Sequence, residues 1–108
     1  MTKTLTLLAI SITATLFALP ARAADAASAD ALIKSSGCTK CHSVSAKKDG
    51  PSFKETAAKY KGQADAEAKL VSHLTTNPKI TGTDETHPSL KTKDDAAVKN
   101  VAQWILAQ

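Results

Sequence analysis

Methionine occurs once in this sequence, at Met1, so no thioether side chain is offered anywhere else along it. Cysteine occurs twice, at Cys38 and Cys41, which excludes the disulfide framework of small secreted domains. A bond between those two would be strained and would close almost no chain. Aromatic residues make up only 4% of the sequence. Beyond residue 23 they are Phe53, Tyr60 and Trp104, too few to fill a core by themselves. No apolar run reaches the roughly 20 residues that span a bilayer. No stretch alternates apolar and polar residues as a half-buried strand does. Charge of one sign is not in large excess either. Setting Lys3 and Arg22 aside from the 14 basic residues leaves 12 lysines against 10 acidic residues, a net +2. That mild bias permits docking to acidic protein surfaces and gives no reason to expect nucleic-acid binding.

What is present begins with an export signal. Lys3 supplies a short positive start, residues 5–19 are apolar with interspersed Ser and Thr, and Ala21-Arg22-Ala23 is a small-x-small cleavage site. This is the layout of a secretory signal peptide, expected to be cut after Ala23. Of the 108 residues, 23 precede the cut and 85 follow it, enough for one small domain spanning 24–108. No membrane span is expected after cleavage. A chain this short builds a modest core and often needs a metal or cofactor to complete it.

The pattern beyond residue 23 is helical. Ala29, Leu32 and Ile33 form an i, i+3, i+4 stripe over residues 28–36, with Gly37 placed to end that helix. Ser52-Phe-Lys-Glu55 has the capping-box pattern and starts a second helix carrying Phe53, Ala57 and Tyr60, ended by Gly62. Residues 65–76 form a third helix with Leu70, Val71 and Leu74 on its apolar face, stopped at Asn77-Pro78. Residues 79–91 have no period. Thr92-Lys-Asp-Asp95 reads as another capping box, and the last helix carries Val98, Val101, Ala102 and Ile105 on one stripe with Trp104 beside it. The expectation is one all-α domain of about four helices and long loops.

The chemistry is concentrated in CTKCH, residues 38–42. A C-x-x-C pair serves as a redox dithiol, but usually at a strand-to-helix turn, and nothing here reads as strand. It can form half of a zinc site, with His73 or His87 completing four ligands, but such a site does not require a histidine directly after the second cysteine. C-x-x-C-H is the attachment pattern of c-type haem. Two intervening residues let one helical turn present both sulfurs to the two vinyl groups, and the adjacent histidine points at the iron. Covalent attachment also suits an exported protein, which would otherwise lose its cofactor to the surroundings.

CTKCH, then GPSFKETAAKYKG at residues 50–62, a proline-bearing loop, and WIL at residues 104–106 together resemble the short class I bacterial cytochromes c of the periplasm. The resemblance runs from about Leu32 to the end of the chain. It implies the class I cytochrome c fold wrapped around one covalent haem c. Cys38 and Cys41 would carry the thioether bonds, and His42 would be the proximal iron ligand. The Pro51 carbonyl would accept a hydrogen bond from the other ring nitrogen of His42. The first and last helices would cross near Gly37, with Leu32, Ile33, Val101 and Ile105 at the contact.

The resemblance also implies a methionine, often followed by proline, on the far side of the iron, and here the chain departs from it. At that place, between the third and last helices, stands His87-Pro88. His87 is therefore the candidate distal iron ligand, and His73 is expected to be a surface histidine outside the haem pocket. Two imidazoles favour ferric iron more than a His/Met pair does, so the potential should be low. The function expected is non-enzymatic one-electron carriage in the periplasm, by a monomer that docks redox proteins with acidic surfaces, Lys40, Lys47 and Lys48 surrounding the haem edge. The alternative is a sensing or binding protein in which a labile distal histidine yields to NO or O2. A peroxidase-type enzyme would need an open iron site and separate distal acid–base groups.

Overall fold

The computed structural model describes residues 24–108; the signal peptide expected over residues 1–23 lies outside them. Four α-helices follow in order: α1, Ala26–Ser35; α2, Phe53–Tyr60; α3, Ala66–Thr75; and α4, Asp95–Leu106. A single 3-10 turn, Cys38–Lys40, comes directly after α1. Among the described residues there is no strand, and one isolated bridge joins Lys79 to Thr86.

Helix α4 is the hub, because α1, α2 and α3 each pack against it. Its stripe of Val98, Val101, Ala102 and Ile105 is buried along its length. Burial of branched aliphatic side chains of this kind is worth about 1.5–3 kcal/mol each. From α1 come Ala29 and Ile33, from α2 Phe53, and from α3 Leu70 and Leu74, with Leu90 closing the end. Ala29 on α1 and Ala102 on α4 are both fully buried. Leu32, expected at the contact of these two helices, is only half-buried. A side chain at Gly37 would point toward Lys40. Glycine serves at that position because the chain turns with φ +78°, a left-handed conformation unfavourable to other residues.

Helix starts follow the sequence with two shifts. Helix α1 begins two residues earlier than its stripe suggests, because Asp25 is its cap and accepts from the Ser28 amide at 3.1 Å. Asp94, and not Thr92, caps α4, taking the Ala96 and Ala97 amides on its carboxylate. Thr92 instead accepts from the Asp94 amide at 3.1 Å, so the capping-box pattern there marks the approach to the helix and not its cap.

The Ser52 box on α2 is complete. Ser52 Oγ accepts from the Glu55 amide at 3.1 Å, and Glu55 accepts from the Ser52 amide at 2.7 Å. Ser52→Ala should cost about 1 kcal/mol, because the cap is lost at a buried position. For a domain of this size that lowers the melting temperature by roughly 4–8 °C. The Ser52 backbone amide, then its hydroxyl, hold the Glu55 carboxyl below its ordinary value of 4.5, against the effect of burial and helped by Lys47. A depressed carboxylate pKa stabilises the fold above the unfolded value and loses that contribution as pH falls through the folded value. A Glu55→Gln variant should therefore melt below wild type at neutral pH and match it in strong acid. A gap of the same size at both pH values would disprove this linkage.

Candidate haem site

The site is built from two loops set against the α1–α4 core. In the first, residues 38–42 coil into one turn: the His42 amide donates to the Cys38 carbonyl at 3.0 Å and the Cys41 amide to the same oxygen at 3.2 Å. This places Cys38, half-buried, and Cys41, exposed, on the wall of one cavity, with His42 beside them. Burial pushes the Cys38 thiol up, partly offset by its own backbone and reinforced by Cys41.

The His42 ring is fixed from three directions. Its Nδ1 lies 2.7 Å from the Pro51 carbonyl, so Nδ1 carries the proton and donates, leaving Nε2 as the free donor to a metal. The ring stacks on Phe53 with centroids 5.6 Å apart and planes at 24°. Phe53 is itself braced edge-on by Trp104 at 5.5 Å. On the remaining side the backbone of Gly50 comes so close that a Cβ there would lie 2.5 Å from His42 Cε1. The Gly50 amide is tied to the Cys41 carbonyl at 2.8 Å, which closes the loop back onto the CTKCH turn.

The second loop carries His87. Residues 78–87 form a narrow strap in which the His87 amide donates to the Pro78 carbonyl at 2.7 Å and the Ile80 amide to the Glu85 carbonyl at 2.9 Å. The strap is joined to the core where the Leu90 amide meets the Leu74 carbonyl at 2.9 Å. His87 is brought opposite His42, with ring centroids 5.9 Å apart. Two imidazoles on opposite sides of one metal ion, each with a metal–nitrogen bond of roughly 2.0 Å, stand about this far apart. His87 Nδ1 is buried without a hydrogen-bond partner. Burial pushes the His87 pKa below the usual imidazole value and the charge of His42 adds to the drop. The Pro88 backbone, outside hydrogen-bonding geometry, opposes it.

His73 differs from its sequence expectation. It is a surface residue of α3, but its ring also lines the cavity and lies 4.3 Å from that of His87. Its pKa is lowered by burial first, then by His87, His42 and Lys59. The signal was available in its helical position, one residue before Leu74 and three after Leu70, which puts it at the edge of the buried face. Gly50 was not singled out for the site, and Asn77 enters it as a hydrogen-bond donor and not as a ligand. One cradles His42 and the other donates from its side-chain amide to the His87 carbonyl at 3.2 Å.

The cavity between the two loops measures about 660 Å³. Its floor is apolar, made by Ile33, Phe53, Leu70, Leu74, Val101 and Ile105. Among the described residues no three His, Cys, Asp or Glu side chains converge closely enough to hold a lone metal ion, which leaves a zinc centre without its ligands. A haem fits the features present. Cys38 and Cys41 on one wall would attach it, His42 and His87 would offer nitrogen donors to its iron, and the apolar floor would lie against its ring. A buried ring nitrogen with no partner from the chain fits a ring committed to a group outside the chain.

Comparison with known proteins points the same way. A family model described as Cytochrome c matches residues 26–108. Cytochrome c-551 of Pseudomonas aeruginosa is 36% identical over 107 residues, which covers 98% of both chains. Cytochrome c2 of Rubrivivax gelatinosus is 39% identical over 77 residues, 69% of this chain and 91% of its own. The class 1 cytochrome MtoD of Sideroxydans lithotrophicus ES-1 superposes with a TM-score of 0.74 at 44% identity, over 79% of this chain and 97% of that one.

Proposed function

This chain belongs to the cytochrome c family, and from that premise we propose that it carries single electrons in the periplasm on a bis-histidine haem of low potential. The fold is the class I cytochrome c fold, the cofactor is one covalent haem c, and the general role is electron carriage. The finer assignments are our reading. Cys38 and Cys41 hold the haem through thioether bonds, His42 is the proximal ligand oriented by the Pro51 carbonyl, and His87 is the distal ligand. Residues 1–23 are the export signal and residues 24–108 the working domain. The haem supplies reversible one-electron exchange at its iron.

The observation that carries this reading is the His42–His87 pair facing across the cavity at 5.9 Å, in a chain with no methionine beyond Met1. The chain's residues do the rest. Pro51 holds the His42 proton on Nδ1, and the apolar floor keeps water from the buried face. Imidazole donates to ferric iron more strongly than thioether sulfur, which lowers the potential. The shift from a His/Met relative should be on the order of 0.1–0.3 V, within the roughly 0.8 V that axial ligands span. Lys40, Lys47 and Lys48 are exposed around the attachment turn and suit a partner with an acidic docking surface. Each of those contacts is weak and salt-sensitive.

A second reading, reversible binding of a small ligand such as NO or O2, is favoured by one observation: His87 Nδ1 is buried with no hydrogen-bond partner in the chain. Absorption spectra of both oxidation states separate the two. The carrier should be six-coordinate and low-spin when ferric and when ferrous, without a sulfur-to-iron charge-transfer band. A high-spin ferrous spectrum with rapid CO uptake would replace the carrier reading with the sensor reading.

A further inference from the structure

The two facing imidazoles are held in different ways. His42 is held by its ring, through Pro51, Phe53 and Gly50. His87 is held by its backbone. Its amide donates to Pro78 at 2.7 Å, its carbonyl accepts from the Asn77 side chain at 3.2 Å, and its ring Nδ1 has no partner. The residues that grip it, Asn77 and Pro78, are consecutive and stand where the chain leaves α3.

Asn77 is also, among the described residues, the one non-glycine residue with positive φ, at +50°. Left-handed backbone is costly for most L-residues, and asparagine is among those that tolerate it. Such a conformation persists only where its surroundings hold it, often at a functional site. Here it turns the chain from α3 into the strap and aims the amide at His87 in one step. The strap's own bonds, from Ile80 to Glu85 and across the Lys79–Thr86 bridge, do not reach His87. Residues 79–86 are all exposed, and the Lys79–Asp84 ion pair spans 4.0 Å between side chains that are 72% and 109% exposed. A pair of that kind contributes little.

We propose that Asn77 is a positioning residue for the sixth iron ligand: its side-chain amide fixes the His87 backbone and so sets how readily the His87 ring leaves the iron. The inference rests on the reading of His87 as that ligand. It makes the strap the yielding side of the site and His42 the fixed side. Loss of the amide loosens the point from which the ring is presented, because the ring's neighbour His73, 4.3 Å away, gives its Nδ1 no hydrogen bond.

The experiment uses the ferric holoprotein, full chain matured with covalent haem, and sodium cyanide as the probe that displaces the distal ligand. Asn77→Gly keeps access to the left-handed turn and removes the amide. Asn77→Asp keeps the side-chain size and replaces the donor with an acceptor. Both should rest in the low-spin state and exchange for cyanide roughly five- to tenfold faster than wild type, a change within the reach of one hydrogen bond. A role limited to forming the turn predicts that Asn77→Gly exchanges like wild type. Either variant exchanging at the wild-type rate overturns the assignment. His87→Ala, measured alongside, separates the failures. If it turns high-spin while the Asn77 variants behave as wild type, only the Asn77 role is lost. If it stays low-spin, the ligand reading fails and the Asn77 role falls with it.

Discussion

His87→Ala is expected to convert the ferric haem from low-spin to high-spin, to open its distal side to CO and cyanide, and to raise its potential. A methyl group in place of imidazole removes the strap's one imidazole, and residues 79–86 contain no histidine, methionine or cysteine to replace it. Ferric iron loses its stronger axial donor and ferrous iron loses less, so the potential moves upward, by roughly 0.1 V or more. Global stability should change little by comparison, because His87 is only half-buried and the strap hydrogen bonds are made by its backbone. The measurement is an absorption and magnetic spectrum of ferric holoprotein, with a redox titration. His73→Ala is the paired control. Its ring lies 4.3 Å from that of His87, but the His87 ring is the one brought to 5.9 Å from the His42 ring, centroid to centroid, so that variant should remain low-spin. The reverse result, with His87→Ala low-spin and His73→Ala high-spin, would transfer the ligand assignment to α3.

That control is needed because of where sequence reasoning stopped. The elements themselves were legible: the box at Ser52 and Glu55, the stripe from Val98 to Ile105 and the stop at Asn77-Pro78 are local signals, and each acts over one helical turn. The CTKCH turn was legible for the same reason, since its hydrogen bonds join residues three and four apart. His73 was misplaced because its environment depends on how the strap folds back over α3, which no local pattern encodes. Thr92 was assigned as a cap because threonine and aspartate three residues apart satisfy the pattern; Asp94 takes the role because its carboxylate reaches two amides at once. Gly37 ends the first helix as its position after Ser36 suggests, with the left-handed φ of +78° that glycine accommodates. Gly50 has the opposite character. Nothing about a glycine between Asp49 and Pro51 announces that an imidazole lies against it.

That contact makes Gly50→Ala the second large effect. The added Cβ would sit 2.5 Å from His42 Cε1, 2.8 Å from Nδ1 and 3.1 Å from Nε2. The backbone at Gly50 is not left-handed, so alanine meets no conformational penalty and the clash acts alone. The ring cannot yield without cost, because Phe53 stacks against it and Pro51 holds its Nδ1. The loop cannot yield without cost either, because the Gly50 amide is bonded to Cys41. Overpacking of this kind costs about 1–3 kcal/mol, and one hydrogen bond lost in relieving it adds about 0.5–1.5 kcal/mol. For a domain of this size the holoprotein should then melt roughly 10–30 °C lower, with less haem attached during maturation because His42 is displaced beside both cysteines. The two routes of relief differ in their signatures. If the ring gives way, its proton is no longer held by Pro51, the ring donates less strongly to ferric iron and the potential rises. If the loop gives way, the potential stays near wild type and only the melting temperature falls. A variant that matures and melts like wild type would mean that His42 shifts freely in its cradle, and the contrast drawn between a fixed proximal ring and a yielding distal strap would not hold.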